Sequence, residues 1–310
     1  MNEPSSPVPG GEVSNALGAT AARRATGVGA LAIVIWASLA PLTALSGAVP
    51  PFQMVALSFF LAGTIALMVA RAKGERISAH MRHPPGAWVL GVGGLFGYHF
   101  LVFLALKTAP ALEANLINYL WPLLIVLFSA LLPGERLRWW HVAGALCGLG
   151  GTVLIVGAKT GAALDNRAWF GYGAALAAAV TWAGYSVLNR RFAHVPTSAV
   201  GPFLIVAGAL ATICHIFWEP TIWPQDALQW GAIIGLGLGP AGGAFFVWDY
   251  GVKHGDIRVL GALAYGAPLM STALLIVLGK GDLSTRISVA GVMIVGGAAL
   301  ASREMFFRRT

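Results

Sequence analysis

From residue 27 onward the sequence is cut into apolar runs of roughly the 17 to 25 residues that carry a helix across a bilayer, and no other feature restricts its folds so severely. In hydrocarbon every backbone N–H and C=O needs an internal partner, so a run of this kind crosses as a helix. The runs cover 27–46, 52–70, 87–106, 111–132 and 139–156, and then 169–188, 199–217, 227–248, 259–278 and 287–301. Composition agrees: 57% of the 310 residues are hydrophobic and 10% charged, against about 25% charged in a soluble domain. An ordinary soluble enzyme is excluded. The 40 glycines follow no Gly-X-Y period, which excludes a collagen-like fibre.

The net charge of +8 invites a nucleic-acid reading, but the Lys and Arg residues stand singly or in pairs at the ends of apolar runs. No nucleic-acid partner is expected, and the lipid bilayer is. Assigning alternate connections to opposite sides puts fifteen basic residues on one side, among them Arg23, Arg24, Arg136, Arg190, Arg191, Lys253 and Arg258. Five fall on the other: Lys107, Lys159, Arg167, Lys280 and Arg286. Cytoplasmic flanks are the enriched ones, so both termini are expected in the cytoplasm and the number of spans to be even. Cys147 and Cys214 lie inside apolar runs and suggest neither a disulfide nor a metal. Residues 1–25, rich in Pro, Ser, Gly and Ala, are expected to form a disordered tail without a cleavable signal.

Sliding the chain against itself by 146 residues superposes Gly27, Trp36 and Leu42 on Gly173, Trp182 and Leu188. It also superposes Gly93, Gly97 and Phe100 on Gly239, Gly243 and Phe246, and Lys107, Tyr119 and Pro122 on Lys253, Tyr265 and Pro268. Rare residue types coinciding at one offset mark an internal repeat. The expected organisation is a first repeat at 26–157, a connecting loop at 158–168, a second repeat at 169–303 and a tail at 304–310. Five spans per repeat is an odd number, so the second repeat enters the membrane from the opposite side. The fold expected is therefore an all-α membrane protein of ten transmembrane helices in two inverted five-helix repeats, an arrangement typical of secondary transporters with a midplane site.

Four segments carry a family resemblance: Trp36-Ala-Ser-Leu-Ala-Pro41, the stretch from Glu113 to Pro122, Pro133-Gly-Glu135, and Ala264-Tyr-Gly-Ala-Pro268. In them the chain resembles the drug/metabolite transporter superfamily, in particular its members with two EamA-type repeats. The run Asn118-Tyr-Leu-Trp-Pro122 is similar to the aromatic amino acid exporter branch. The resemblance implies a multi-pass exporter of aromatic and other neutral amino acids in a bacterial inner membrane. It requires no cofactor or metal, and it leaves the oligomeric state open, with a monomer sufficient.

Polar and aromatic groups deep in the spans are the candidates for substrate contact, because a polar group facing lipid carries a free-energy cost. Asn115, Asn118 and Tyr119 share a face of the fourth span by their spacing. Amides there meet a zwitterion without a buried charge. Trp36, Trp182 and Tyr185 lie on the equivalent first helices of the two repeats and could wall a side chain by offset stacking. Tyr98, His99, Phe245, Trp248 and Tyr265 extend the aromatic series, on helices that the resemblance implies line the cavity. Helix packing is the competing assignment for each. Glu113 and Asp249 lie near span ends, where water reaches them.

Every Lys and Arg falls at or beyond a span boundary, which disfavours phosphorylated substrates. The first span holds no acidic residue, which disfavours proton-coupled export of lipophilic cations of the small multidrug type. No His-Glu-x-x-His, nucleophile–base pair or phosphate loop appears, so an intramembrane enzyme is not expected. A channel is distinguished from a carrier by unsaturable flux. Pro122 and Pro268 each remove a helix hydrogen bond at matching positions and are the expected hinges.

Overall fold

The computed structural model describes residues 10–133, 136–156, 168–277, 284–301 and 303. Among them every regular element is a helix: α1 Gly10–Trp36, α2 Leu39–Leu45, α3 Pro51–Ala72, α4 Ile77–Met81, α5 Pro85–Val92, α6 Tyr98–Thr108, α7 Ala111–Asn118, α8 Trp121–Ser129 and α9 Trp139–Val156 in the first half. The second half holds α10 Ala168–Leu188, α11 Val200–Trp218, α12 Ala227–Leu238, α13 Gly243–His254, α14 Ile257–Leu263, α15 Gly266–Val277 and α16 Thr285–Ala301. Five helical stretches are long and apolar enough to cross a membrane: Gly18–Leu45, Pro51–Ala72, Pro85–Thr108, Thr197–Trp218 and Ala227–His254. Shorter apolar helices accompany them. Large apolar side chains such as Val89, Phe217 and Val292 are more than 70% exposed, as lipid-facing positions are.

The first helix begins at Gly10, so residues 10–25, expected to be disordered, are helical. The contribution is local: Ala16, Leu17, Ala19, Ala21 and Ala22 have good helix propensity, and the stretch extends the span's own helix. Residues 1–9 of the tail, 158–167 of the connecting loop and 304–310 lie outside the described residues.

Several expected spans are interrupted, and the interruptions recur at the repeat offset. The third span passes through a π-helical turn at Gly93–Gly97, and the eighth breaks between α12 and α13 at the counterpart positions 239–242. In that break a Cβ on Gly242 would collide with the carbonyl of Gly237, and one on Gly243 with that of Leu238, so only glycine fits. The fourth span breaks at Tyr119 and Leu120, the ninth at Ala264 and Tyr265. Pro122 and Pro268 therefore sit in the first turn of α8 and α15, where a missing N–H costs little and a fixed φ favours helix initiation.

Helix pairing follows a pseudo-twofold relation. The second helices α3 and α11 pack on each other, as do the last helices α9 and α16; α1 packs on α13 while its counterpart α10 packs on α6. At the α1–α13 crossing a Cβ on Gly29 would lie 2.8 Å from the Gly251 Cα. The equivalent α10–α6 crossing uses Ala175 and Ala105, both buried, so small residues bring the backbones close at both places. The main core, including Phe59, Leu95, Trp182, Leu204, Trp248 and Leu260, lies where the two halves meet.

Candidate functional site

A cavity of about 320 Å³ opens where the halves meet, a size at the low end for small-molecule sites. Its walls include Trp36 and Leu39 from α1 and the start of α2, Tyr98, His99, Val102, Phe103 and Leu106 from α6, and Asn115, Asn118, Tyr119 and Trp121 around the α7–α8 break. The second half contributes Trp182, Pro240, Ala241, Phe245 and Ala267. None of these side chains is permanently charged.

The rings form a connected wall. Trp36 meets Trp182 edge-on at 5.8 Å and Trp121 at 6.1 Å, and Tyr98 leans on Trp182 at 5.1 Å. Each such pair contributes about 0.5–1.5 kcal/mol beyond simple burial. The Trp36 indole N–H donates to the Pro240 carbonyl at 3.1 Å, an acceptor that the α12–α13 break turns away from helix bonding.

Polar groups converge on the same space. The Asn118 Nδ2 donates to the Tyr98 hydroxyl at 3.1 Å, which leaves the hydroxyl proton of Tyr98 free to be donated. The Oδ1 of Asn118 is buried without a partner. The Nδ1 of His99 lies 2.7 Å from the Leu95 carbonyl. A carbonyl only accepts, so Nδ1 carries the proton and the neutral ring keeps an acceptor at Nε2. The wall therefore offers a donor and two acceptors with no buried charge, the complement of an ammonium and a carboxylate carried by one small molecule.

Eight of the eleven residues expected to contact substrate line this cavity: Trp36, Tyr98, His99, Asn115, Asn118, Tyr119, Trp182 and Phe245. Three do not. Tyr185 packs against the Trp182 ring at 5.3 Å, behind the wall. Trp248 is fully buried and donates to the Ser186 hydroxyl at 3.1 Å. Tyr265 is fully buried in a separate core cluster, and its hydroxyl accepts from the Leu123 N–H at 3.2 Å. The side chain of Glu113 lies outside the described residues. Asp249 is buried in a polar cluster away from the cavity. Sequence reasoning passed over Val102, Phe103 and Leu106, although they follow His99 at three, four and seven positions and so share its face. It also passed over Pro240, whose carbonyl matters where its side chain does not; the signal was a proline among glycines in mid-span.

A larger hollow, about 390 Å³, lies between α3 and the α12–α13 pair. Aliphatic residues such as Ile65, Val69 and Leu238 share its wall with Lys73, Glu75 and Ser198, and Val69 and Leu238 are exposed, so it is a surface groove; Glu75 and Ser198 are already joined through His80, at 2.7 and 3.1 Å. Volume favours this groove and chemistry the smaller cavity. Recognition depends on placed polar groups, so the smaller cavity is the candidate site.

The profile of the EamA-like transporter family matches residues 25–157 and again 169–303. The chain belongs to that family. Family membership and the apolar helices make it a multi-pass membrane transporter for small metabolites, with two copies of the family's repeat. Among named family proteins, the chain is 51% identical over 279 residues to the aromatic amino acid exporter YddG of Ancylobacter novellus, covering 90% of this chain and 96% of that one. It is 27% identical over 294 residues to the aromatic amino acid exporter YddG of Escherichia coli strain K12, with the same coverage. A crystal structure of a protein 50% identical in sequence superposes with a TM-score of 0.85, covering 90% of this chain and 98% of that chain. The relatives are named as exporters, not as enzymes.

Proposed function

We propose that this chain exports aromatic and other neutral amino acids across a bacterial inner membrane by alternating access. Ten spans in two inverted repeats, with both termini in the cytoplasm, form the carrier, and the Trp36–Trp182 cavity is its substrate site. The observation that carries this is the composition of the cavity wall: edge-on and tilted rings for an apolar side chain, and the Tyr98, Asn118 and His99 groups for an uncharged pair of complementary ends. The names of the relatives support the substrate class. The recurring breaks at Tyr119 and Tyr265 support motion about Pro122 and Pro268, because a helix already interrupted bends there without losing further bonds.

A second substrate class, another small uncharged or zwitterionic metabolite, is favoured by the same uncharged wall. Counterflow in proteoliposomes separates these. Vesicles loaded with unlabelled tryptophan, phenylalanine or leucine are expected to accumulate the matching radiolabelled amino acid transiently and saturably. Flux that neither saturates nor shows counterflow would indicate a channel, and counterflow with none of the amino acids would exclude the substrate class.

A further inference from the structure

The two repeats are in different states at equivalent places. Four residues at the open end of the cavity, Leu39, Val102, Phe103 and Leu106, have as counterparts at the repeat offset Tyr185, Trp248, Asp249 and Val252. Leu39 and Leu106 are 43% and 36% exposed, whereas all four counterparts are 3% exposed or less. The same pair of elements is thus held apart by the cavity in the first repeat and packed shut in the second.

Positions along α10 and α13 run in one order from the cavity toward that shut end. Trp182 and Phe245 face the cavity; one turn on come Tyr185, Ser186 and Trp248, a sealed aromatic layer. Another turn on, Asp249 and Lys253 form an ion pair at 2.8 Å, both side chains almost wholly buried. The Asp249 carboxylate also accepts from Asn189 Nδ2 and Thr197 Oγ1, each at 2.7 Å, and Lys253 Nζ donates to the Val195 carbonyl at 3.0 Å. These partners belong to the end of α10 and the connection to α11, so the pair fastens α13 across the exit. The first repeat has nothing equivalent: the counterpart of Asp249 is Phe103, facing the cavity, and that of Lys253 is Lys107.

We infer that Asp249 and Lys253, with Asn189, Thr197 and the Val195 carbonyl, are a one-sided ionic latch that holds the cytoplasmic gate closed and must open before substrate is loaded. This deepens the carrier proposed above and rests on its placement of the basic flanks in the cytoplasm. A buried pair of this kind is strongly destabilised when one partner is removed, because a charge is left unmatched in a dry site. Opening the gate as a whole admits water to both charges, so the latch is strong when shut and releasable. Asp249 and Lys253 act on substrate only through the gate and are positioning residues.

The test uses the full chain with Cys147→Ser and Cys214→Ser and a reporter, Ser186→Cys, in the sealed layer between the cavity and the latch. A membrane-impermeant maleimide is applied to either face of sealed vesicles of known orientation. With the latch intact, labelling from the cytoplasmic face is expected to be slow. Asp249→Asn and Lys253→Met should each raise it about tenfold or more, the factor that loss of a hydrogen bond to a charged group converts to. Lys253→Arg should keep it slow, and Lys107→Met in the first repeat should leave it unchanged. Should a single variant not fold, Thr197→Val, which keeps both charges and removes one hydrogen bond to the Asp249 carboxylate, replaces it and is expected to raise labelling. Unchanged labelling in the folded latch variants, or an equal rise with Lys107→Met, would overturn the latch. Labelling needs no transported substrate, so a failure of counterflow in the parent protein would count against the carrier alone.

Discussion

The indole N–H of Trp36, in the first repeat, donates at 3.1 Å to the carbonyl of Pro240, in the second. This bond joins the two halves at the wall of the cavity, and it exists because the break after α12 frees a carbonyl that an unbroken helix would use. Trp36→Phe keeps a ring and removes the donor. A loss of about 1 kcal/mol in stability is expected, read as a lower thermal midpoint, together with a raised KM in counterflow.

Asn118 and Tyr98 form one polar unit, joined at 3.1 Å. Asn118→Ala removes the buried Oδ1 acceptor and Tyr98→Phe removes the hydroxyl donor. Each should raise KM by about tenfold or more, since a substrate end loses its partner in a desolvated site. Trp182→Ala should reduce saturable flux as well. Kinetics unchanged in all three would assign these residues to helix packing.

Pro122 and Pro268 open α8 and α15 just after matching breaks. Alanine at either position restores an N–H and lets the two half-helices join. Transport per folded molecule should fall while folded yield, measured by size-exclusion chromatography, stays close to that of the parent. Equal transport per folded molecule would remove the hinge role.

Asp256 caps α14, accepting from the N–H groups of Arg258 and Val259 and from the Arg258 guanidinium. Burial alone would push its carboxyl up, but these partners outweigh it and hold it below its ordinary 3.8. A carboxyl with a lowered folded-state pKa contributes stability that is present above the ordinary value and lost as pH falls through the folded one. Asp256→Ala should cost about 1 kcal/mol at neutral pH. Thermal melts should show the difference from the parent shrinking below pH 3.8.

Much of this architecture was legible in the sequence, because a bilayer imposes helices on apolar runs and a repeat offset is visible wherever rare residues coincide. Trp36 with Trp182 and Tyr119 with Tyr265 marked the two halves. What the offset could not show is that equivalent residues occupy unlike surroundings. Tyr119 lines the cavity while Tyr265 is fully buried, and Phe103 faces the cavity while Asp249 is sealed in an ion pair. In the carrier proposed above only one end is open at a time, so residues equivalent in sequence need not share surroundings in any one conformation. The helical stretch 10–25 was missed for a plainer reason, since its glycines, Ser14 and Asn15 read as a tail, and its alanines and Leu17 favour a helix without a periodic apolar pattern to announce it.

The most direct measurement is a crystal structure with a brominated phenylalanine bound, the halogen located by its anomalous signal. A single bromine peak between Trp36, Tyr98 and Trp182 is the expected result. A peak in the groove between α3 and α12 instead, or none at a concentration that saturates counterflow, would contradict the account.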